Sequence, residues 1–181
     1  MDIFEADMDK PRHVTNEPST GVDAESMGRH RRVHRVGVLV CAQASLGSLG
    51  LLMDVFRMAN LMPGAHRFEL MRVSDDGAPV LHPDGELRVD GGVALLPLAD
   101  LVVVPSMWTQ GAAAVERNRQ LVAALRDLPE RVLVVAMCTG AYMLAATGRL
   151  AGKRATTHWL LADDLRARYP ERSEEHTSEL Q

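Results

Sequence analysis

Two side chains in this sequence have the chemistry of a nucleophile and a proton carrier, Cys138 and His158. Cys138 directly follows the apolar, β-branched run Val132–Met137 and precedes the small residues Thr139, Gly140 and Ala141. That order suits a strand that turns sharply into a helix. A thiol at such a turn meets the positive end of the helix dipole and free backbone N–H groups, both of which favour the thiolate. The N–H groups of Thr139 and Gly140 would then hold an oxyanion, with Cys138 as nucleophile and His158 as base or acid. Reversible oxidation of Cys138 is a second, redox chemistry. A cysteine that ends a buried strand is also ordinary packing. A histidine beside Trp159 also packs or caps the next helix. All these readings stand at the level of the two residues alone.

The elements around the pair decide where it lies, because ligands of an open parallel sheet bind beyond the carboxyl ends of its strands. Arg35–Ala42 is a continuous apolar run with the signature of a strand buried on both faces. Leu49, Leu52, Met53 and Phe56 fall at i, i+3, i+4 and i+7, one stripe of an amphipathic helix. Phe68–Val73 predicts a second strand, Asp100–Val104 a third that Pro105 ends, and Arg131–Met137 a fourth. Ser74–Gly92 is rich in Gly, Asp and Pro and predicts a short hairpin around Glu86–Val89. Helices are expected over 112–128, 140–147 and 160–169, the last ended by Pro170, with an extended piece at Arg154–Thr157. Apolar strands alternating with helices predict a flavodoxin-like α/β fold, a doubly wound parallel sheet with helices on both faces.

The segment Met137-Cys-Thr-Gly-Ala-Tyr-Met-Leu-Ala-Ala-Thr-Gly-Arg-Leu-Ala-Gly-Lys-Arg-Ala-Thr-Thr-His-Trp159 resembles the nucleophile-elbow region of the DJ-1/PfpI superfamily of class I glutamine amidotransferase-like domains. In particular it is similar to the sensor domains of AraC-type transcription regulators, where Cys-Thr-Gly-Ala leads into Ala-Thr-Thr-His-Trp. Leu51–Asn60 looks like their first helix and Asp100–Pro105 like their third strand, so the resemblance covers residues 35 to 170. Superfamily enzymes place an acidic residue at the start of the first helix, against the cysteine. That position falls near Ser48 here, and Leu51-Leu52 stands where the regulators usually have Gly-Pro.

Without that carboxylate the resemblance implies a ligand-sensing domain rather than a catalyst. The pocket around Cys138, Thr139, Gly140, His158 and Ser48 is expected to bind a small-molecule effector. A homodimer is expected, with DNA read only by a C-terminal helix-turn-helix half that is missing from this chain. The alternative is a stand-alone cysteine enzyme, a hydrolase, amidase or glyoxalase-like protein, with Cys138 and His158 as its catalytic pair.

Length and composition bound the rest. The 181 residues have room for one domain, and 46% apolar, 24% charged and a formal net charge of −4 is an ordinary globular profile. A mildly acidic chain is not drawn to DNA or to an anionic membrane by its overall charge. No apolar run approaches the about 20 residues that span a bilayer, and the acidic start, Asp2, Glu5 and Asp7, is wrong for a secretory signal. Two cysteines make no disulfide framework, so a cytoplasmic setting is expected. No Cys/His/Asp set has ligand spacing, His66 and His82 included, so no metal and no cofactor are expected. Residues 1–34 mix charges with Pro11, Pro18 and Gly21 and read as a flexible leader. The basic cluster around His30 to Arg35 reads as part of it. Residues 171–181 have no apolar face and resemble translated sequencing-adaptor read-through, a non-native tail after an incomplete domain.

Overall fold

The structure is a computed structural model and describes residues 32–64, 66–171 and 173–174. Residues 1–31 of the expected leader, and 172 and 175–181 of the expected tail, lie outside the described residues. In chain order the elements are β1 (Arg32–Leu39), α1 (Leu46–Leu61), β2 (His66–Val73), β3 (Val80–His82), β4 (Gly85–Leu87), β5 (Leu101–Val104), α2 (Gly111–Arg117), α3 (Arg119–Arg126), β6 (Leu133–Ala136), α4 (Ala141–Ala146), β7 (Arg154–Ala155), α5 (Ala162–Arg168) and β8 (Ser173–Glu174).

Four strands form one parallel sheet in the order β2-β1-β5-β6. β1 is central, and Val36, Val38 and Leu39 are fully buried between the two layers, as a β-branched apolar run predicts. From β1 the chain crosses first to β2 on one side and later to β5 on the other. The order therefore reverses between β1 and β5, and their carboxyl ends flank the crevice where such sheets bind ligands. Helix α1 starts at Ser45, whose side chain caps the N–H of Ser48. It is tied to β2 at its far end by Asn60, whose amide donates to Phe68 O at 2.8 Å and accepts Phe68 N–H at 2.7 Å. The hairpin β3–β4 sits a few residues ahead of the expected Glu86–Val89.

β1 begins at Arg32 rather than Arg35, because β2 extends back to His66 and pairs with it over its whole length. His34 Nε2 lies 2.8 Å from His66 Nδ1, and the His34 ring stacks on Phe68. The helix expected over 112–128 is two helices. Asn118 breaks it with φ −116° and ψ 36°; its buried amide donates to Ala114 O and to Gln43 Oε1 instead of leaving the helix face. β6 is less covered than β1. It is an edge strand of the sheet, and Leu133 and Val135 on one face are exposed. Within the expected tail, Ser173–Glu174 pair in parallel with Arg154–Ala155.

Candidate functional site

β6 delivers Cys138 to the carboxyl edge of the sheet. Met137 N–H still donates to Val104 O at 2.9 Å, and the chain then leaves the sheet through a 3-10 turn, Cys138–Gly140, into α4. Cys138 takes φ +49°, the left-handed region that costs a non-glycine residue about 1–3 kcal/mol. Its thiol is exposed. Gly140 shows what makes the turn possible. A Cβ there would run into Pro105 O and come within 2.8 Å of Val104 O, so the strand-to-helix turn passes flush against the end of β5. The N–H of Gly140 donates to Met137 O at 2.9 Å and closes the turn. That hydrogen bond is made within the turn.

Thr139 points inward and is fully buried. Its Oγ1 accepts the Met107 N–H at 2.7 Å and lies 3.2 Å from Ser106 Oγ. Ser106 in turn reaches the start of α1: its N–H donates to Ser48 Oγ at 3.3 Å, and its carbonyl accepts Ser45 N–H at 2.8 Å. Ser48 Oγ donates to Ser45 O at 3.0 Å. The loops after β1, β5 and β6 are thus joined by one chain of hydroxyl and backbone bonds. Ser48 is in that chain as a structural link, its hydroxyl engaged both as donor and as acceptor.

His158 is half-buried and caps its own turn, with Nδ1 accepting the Leu160 N–H at 3.2 Å and the ring 5.5 Å from that of Trp159. Among the described residues no hydrogen bond joins His158 to Cys138. The neighbour that does bind the cysteine is Thr157, whose hydroxyl donates to Cys138 O at 3.2 Å. The structure therefore brings Thr139, Ser48 and Thr157 to the elbow, and leaves the imidazole turned to its helix.

Several residues of this site were not read from the sequence. Ser106 and Ser45 complete the hydroxyl chain. Tyr142, fully buried on α4, holds the turn that carries His158: its hydroxyl lies 2.9 Å from Leu161 O and 2.8 Å from Asp164 Oδ2. Burial pushes the Tyr142 phenol well up, and its hydroxyl, followed by Arg168, holds the Asp164 carboxyl below the ordinary carboxylate range. Their signal was in the sequence, since a tyrosine in the apolar Ala141–Ala146 run needs a partner when buried. Trp108, after β5, is exposed with φ +51°, the other described non-glycine residue besides Cys138 with positive φ. Cys41 at the end of β1 is buried against Met107, its Sγ 3.4 Å from the Met107 sulfur, and burial pushes its thiol up to about 11. The two thiols are thus opposites, one packed and one presented.

The sequence that builds this elbow lies within residues 35–179, which match the DJ-1/PfpI family. The chain belongs to the DJ-1/PfpI family. Relatives of this DJ-1/PfpI chain include an uncharacterized protein in the cpoL 5′ region of Streptomyces lividans, 38% identical over 76% of this chain and 96% of that protein. They also include the HTH-type transcriptional regulator GbdR of Pseudomonas aeruginosa, 29% identical over 72% of this chain. The match spans only 35% of GbdR's length. Among solved structures, an AraC family transcriptional regulator from Pseudomonas putida superposes with a TM-score of 0.67 at 26% identity, covering 80% of this chain and 77% of that one. The flavodoxin-like parallel sheet expected for a DJ-1/PfpI domain is therefore present, and its similarity reaches the AraC-type regulators noted from the elbow sequence.

Among the described residues, no group of three or more His, Cys, Asp or Glu side chains is arranged to hold a metal ion. Nor is any described helix long and apolar enough to cross a membrane.

Proposed function

We propose that this chain is the small-molecule-sensing domain of a bacterial, cytoplasmic AraC-type transcription regulator. In this reading a helix-turn-helix pair elsewhere in the protein reads DNA, and the effector lies against Cys138 at the carboxyl edge of the sheet. One observation carries the proposal. The elbow is built, with Cys138 strained and exposed over Gly140, yet among the described residues no base is hydrogen-bonded to the thiol. The position of the family's carboxylate falls near Ser48, whose hydroxyl is engaged with Ser45 and Ser106, and Nδ1 of His158 is engaged with Leu160. A nucleophile without an activating partner is a poor catalyst, while the same surface remains available to bind. The similarity to GbdR and to the Pseudomonas putida regulator supports the regulator part.

A stand-alone cysteine enzyme is the second reading, favoured by the Streptomyces relative, nearly all of whose length the match spans. Incubating the protein with methylglyoxal, glutamine and a chromogenic ester separates the two. The sensing reading expects no consumption above that of Cys138→Ala. Loss of any of these substrates in wild type but not in Cys138→Ala would establish the enzyme instead.

A further inference from the structure

The sequence has two tryptophans, Trp108 and Trp159, and both face water. They are 64 and 79% exposed, whereas the other described phenyl and phenol rings, Phe56, Phe68, Tyr142 and Tyr169, are buried or half-buried. An indole left in water forfeits a large area of apolar burial. Trp108 also holds φ +51°, a left-handed backbone that is an outlier for a bulky residue and persists only where its surroundings impose it. Core packing accounts for neither feature.

The two indoles hang from turns that meet beside the elbow. Met107, next to Trp108, donates its N–H to Thr139 Oγ1 at 2.7 Å. Thr157, two residues before Trp159, donates its hydroxyl to Cys138 O at 3.2 Å. A Cβ on Gly111, three residues past Trp108, would lie 3.5 Å from Leu161 Cδ1, two residues past Trp159. Both turns rest on Tyr142, whose ring that Cβ would meet at 3.3 Å and whose hydroxyl lies 2.9 Å from Leu161 O. Residues 105–111, 137–141 and 155–162, the three stretches that come together, contain no Asp, Glu, Lys or Arg. Arg117 donates to Gln110 at one end of the first. An ion entering between these stretches would leave water with no opposite charge to receive it. An uncharged flat ring has little hydration to lose and gains an indole to stack on.

We propose that Trp108 and Trp159 form a stacking platform beside Cys138, and that the small molecule sensed there presents an uncharged, planar aromatic or heteroaromatic ring. The proposal rests on the sensing reading and narrows its ligand to a chemical class.

Saturation-transfer NMR on the full 181-residue chain tests it, with benzamide, nicotinamide, cyclohexanecarboxamide and tetramethylammonium at equal millimolar concentrations. The two aromatic amides should receive transfer. The saturated amide, of similar size but without a π face, and the cation should not. Trp108→Gly and Trp159→Leu should each weaken ring binding about tenfold, as losing one stacked aromatic contact does. Glycine also suits the positive φ at position 108, so the thermal midpoint of Trp108→Gly should match or exceed that of wild type. A lower midpoint would make Trp108 a packing residue and overturn the proposal. So would transfer to neither ring, equal transfer to the saturated amide or the cation, or ring binding indifferent to both substitutions. The two readings fail differently. A metabolite released by Cys138→Trp but held by both tryptophan variants would sink the platform and leave the sensing reading standing. A bound ring consumed in a Cys138-dependent way would sink the sensing reading and leave the platform.

Discussion

Thr139 Oγ1 takes the backbone N–H of Met107 at 2.7 Å, and so ties the turn that ends β6 to the turn that ends β5. The bond is buried, and the same oxygen meets Ser106 Oγ, which leads on to Ser48 and α1. The geometry of the elbow is therefore held from three strands at once. Thr139→Val keeps the shape and removes the acceptor, leaving a buried N–H without a partner, at a cost of about 1–3 kcal/mol. Thr139→Ser keeps the acceptor and should cost clearly less. Urea unfolding of the two variants beside wild type gives the comparison.

Gly140 and Gly50 should answer an added methyl group with opposite signs. At Gly140 the methyl meets the carbonyls of Pro105 and Val104, backbone atoms that cannot turn aside. Gly140→Ala should cost about 3 kcal/mol or more. Gly50 lies inside α1 with nothing within 4 Å of the new carbon. Gly50→Ala should stabilise by about 0.5–1 kcal/mol, by restricting the unfolded chain. Equal effects at both sites would mean that the elbow is not packed against β5.

The two thiols should react in separate stages. Cys138 is exposed, whereas Cys41 is buried, with its thiol pushed up to about 11. Ellman's reagent at neutral pH should modify one thiol of the native protein and both in denaturant. Cys138→Ala should remove the native signal and leave the other unchanged.

Tyr142 should show its partner through pH. Its hydroxyl, ahead of Arg168, holds the Asp164 carboxyl below the usual value. The folded-state value thus lies below the unfolded one. That contribution is complete above about pH 3.9, the value of a free aspartate, and is lost as the pH falls through the lower folded value. Tyr142→Phe should cost about 0.5–1.5 kcal/mol near neutrality through its lost hydrogen bonds. The difference between the two proteins should narrow in acid below about pH 4. A gap that stays constant down to complete acid unfolding would contradict the Asp164 contact.

The fold was legible in the sequence where one local pattern decided the outcome. The β-branched run around Val36–Leu39 predicts a central buried strand, and the stripe from Leu49 to Phe56 predicts the inner face of α1. The strand-to-turn order at Cys138 places it just past the end of a strand and ahead of a helix, as found. Patterns that depend on distant partners were not legible. Nothing local tells that Asn118 bonds Gln43 and splits a helix, or that β6 lies at the edge with Leu133 and Val135 uncovered. The hydroxyl chain through Ser45, Ser48, Ser106 and Thr139 joins three loops far apart in sequence. Single serines carry no period to reveal it. For His158 the sequence leaves two roles open, a partner for Cys138 or a cap on the next helix, and the ring caps the turn two residues on.

The central claim is that a small molecule binds against Cys138 without being transformed there. Saturation-transfer NMR on pools of small polar metabolites, run with wild type and with Cys138→Trp, tests both halves at once. The account predicts transfer from the protein to at least one compound in wild type, loss of that transfer when tryptophan fills the crevice, and an unchanged compound spectrum after prolonged incubation. Transfer that survives Cys138→Trp, or new product resonances that depend on Cys138, would contradict it.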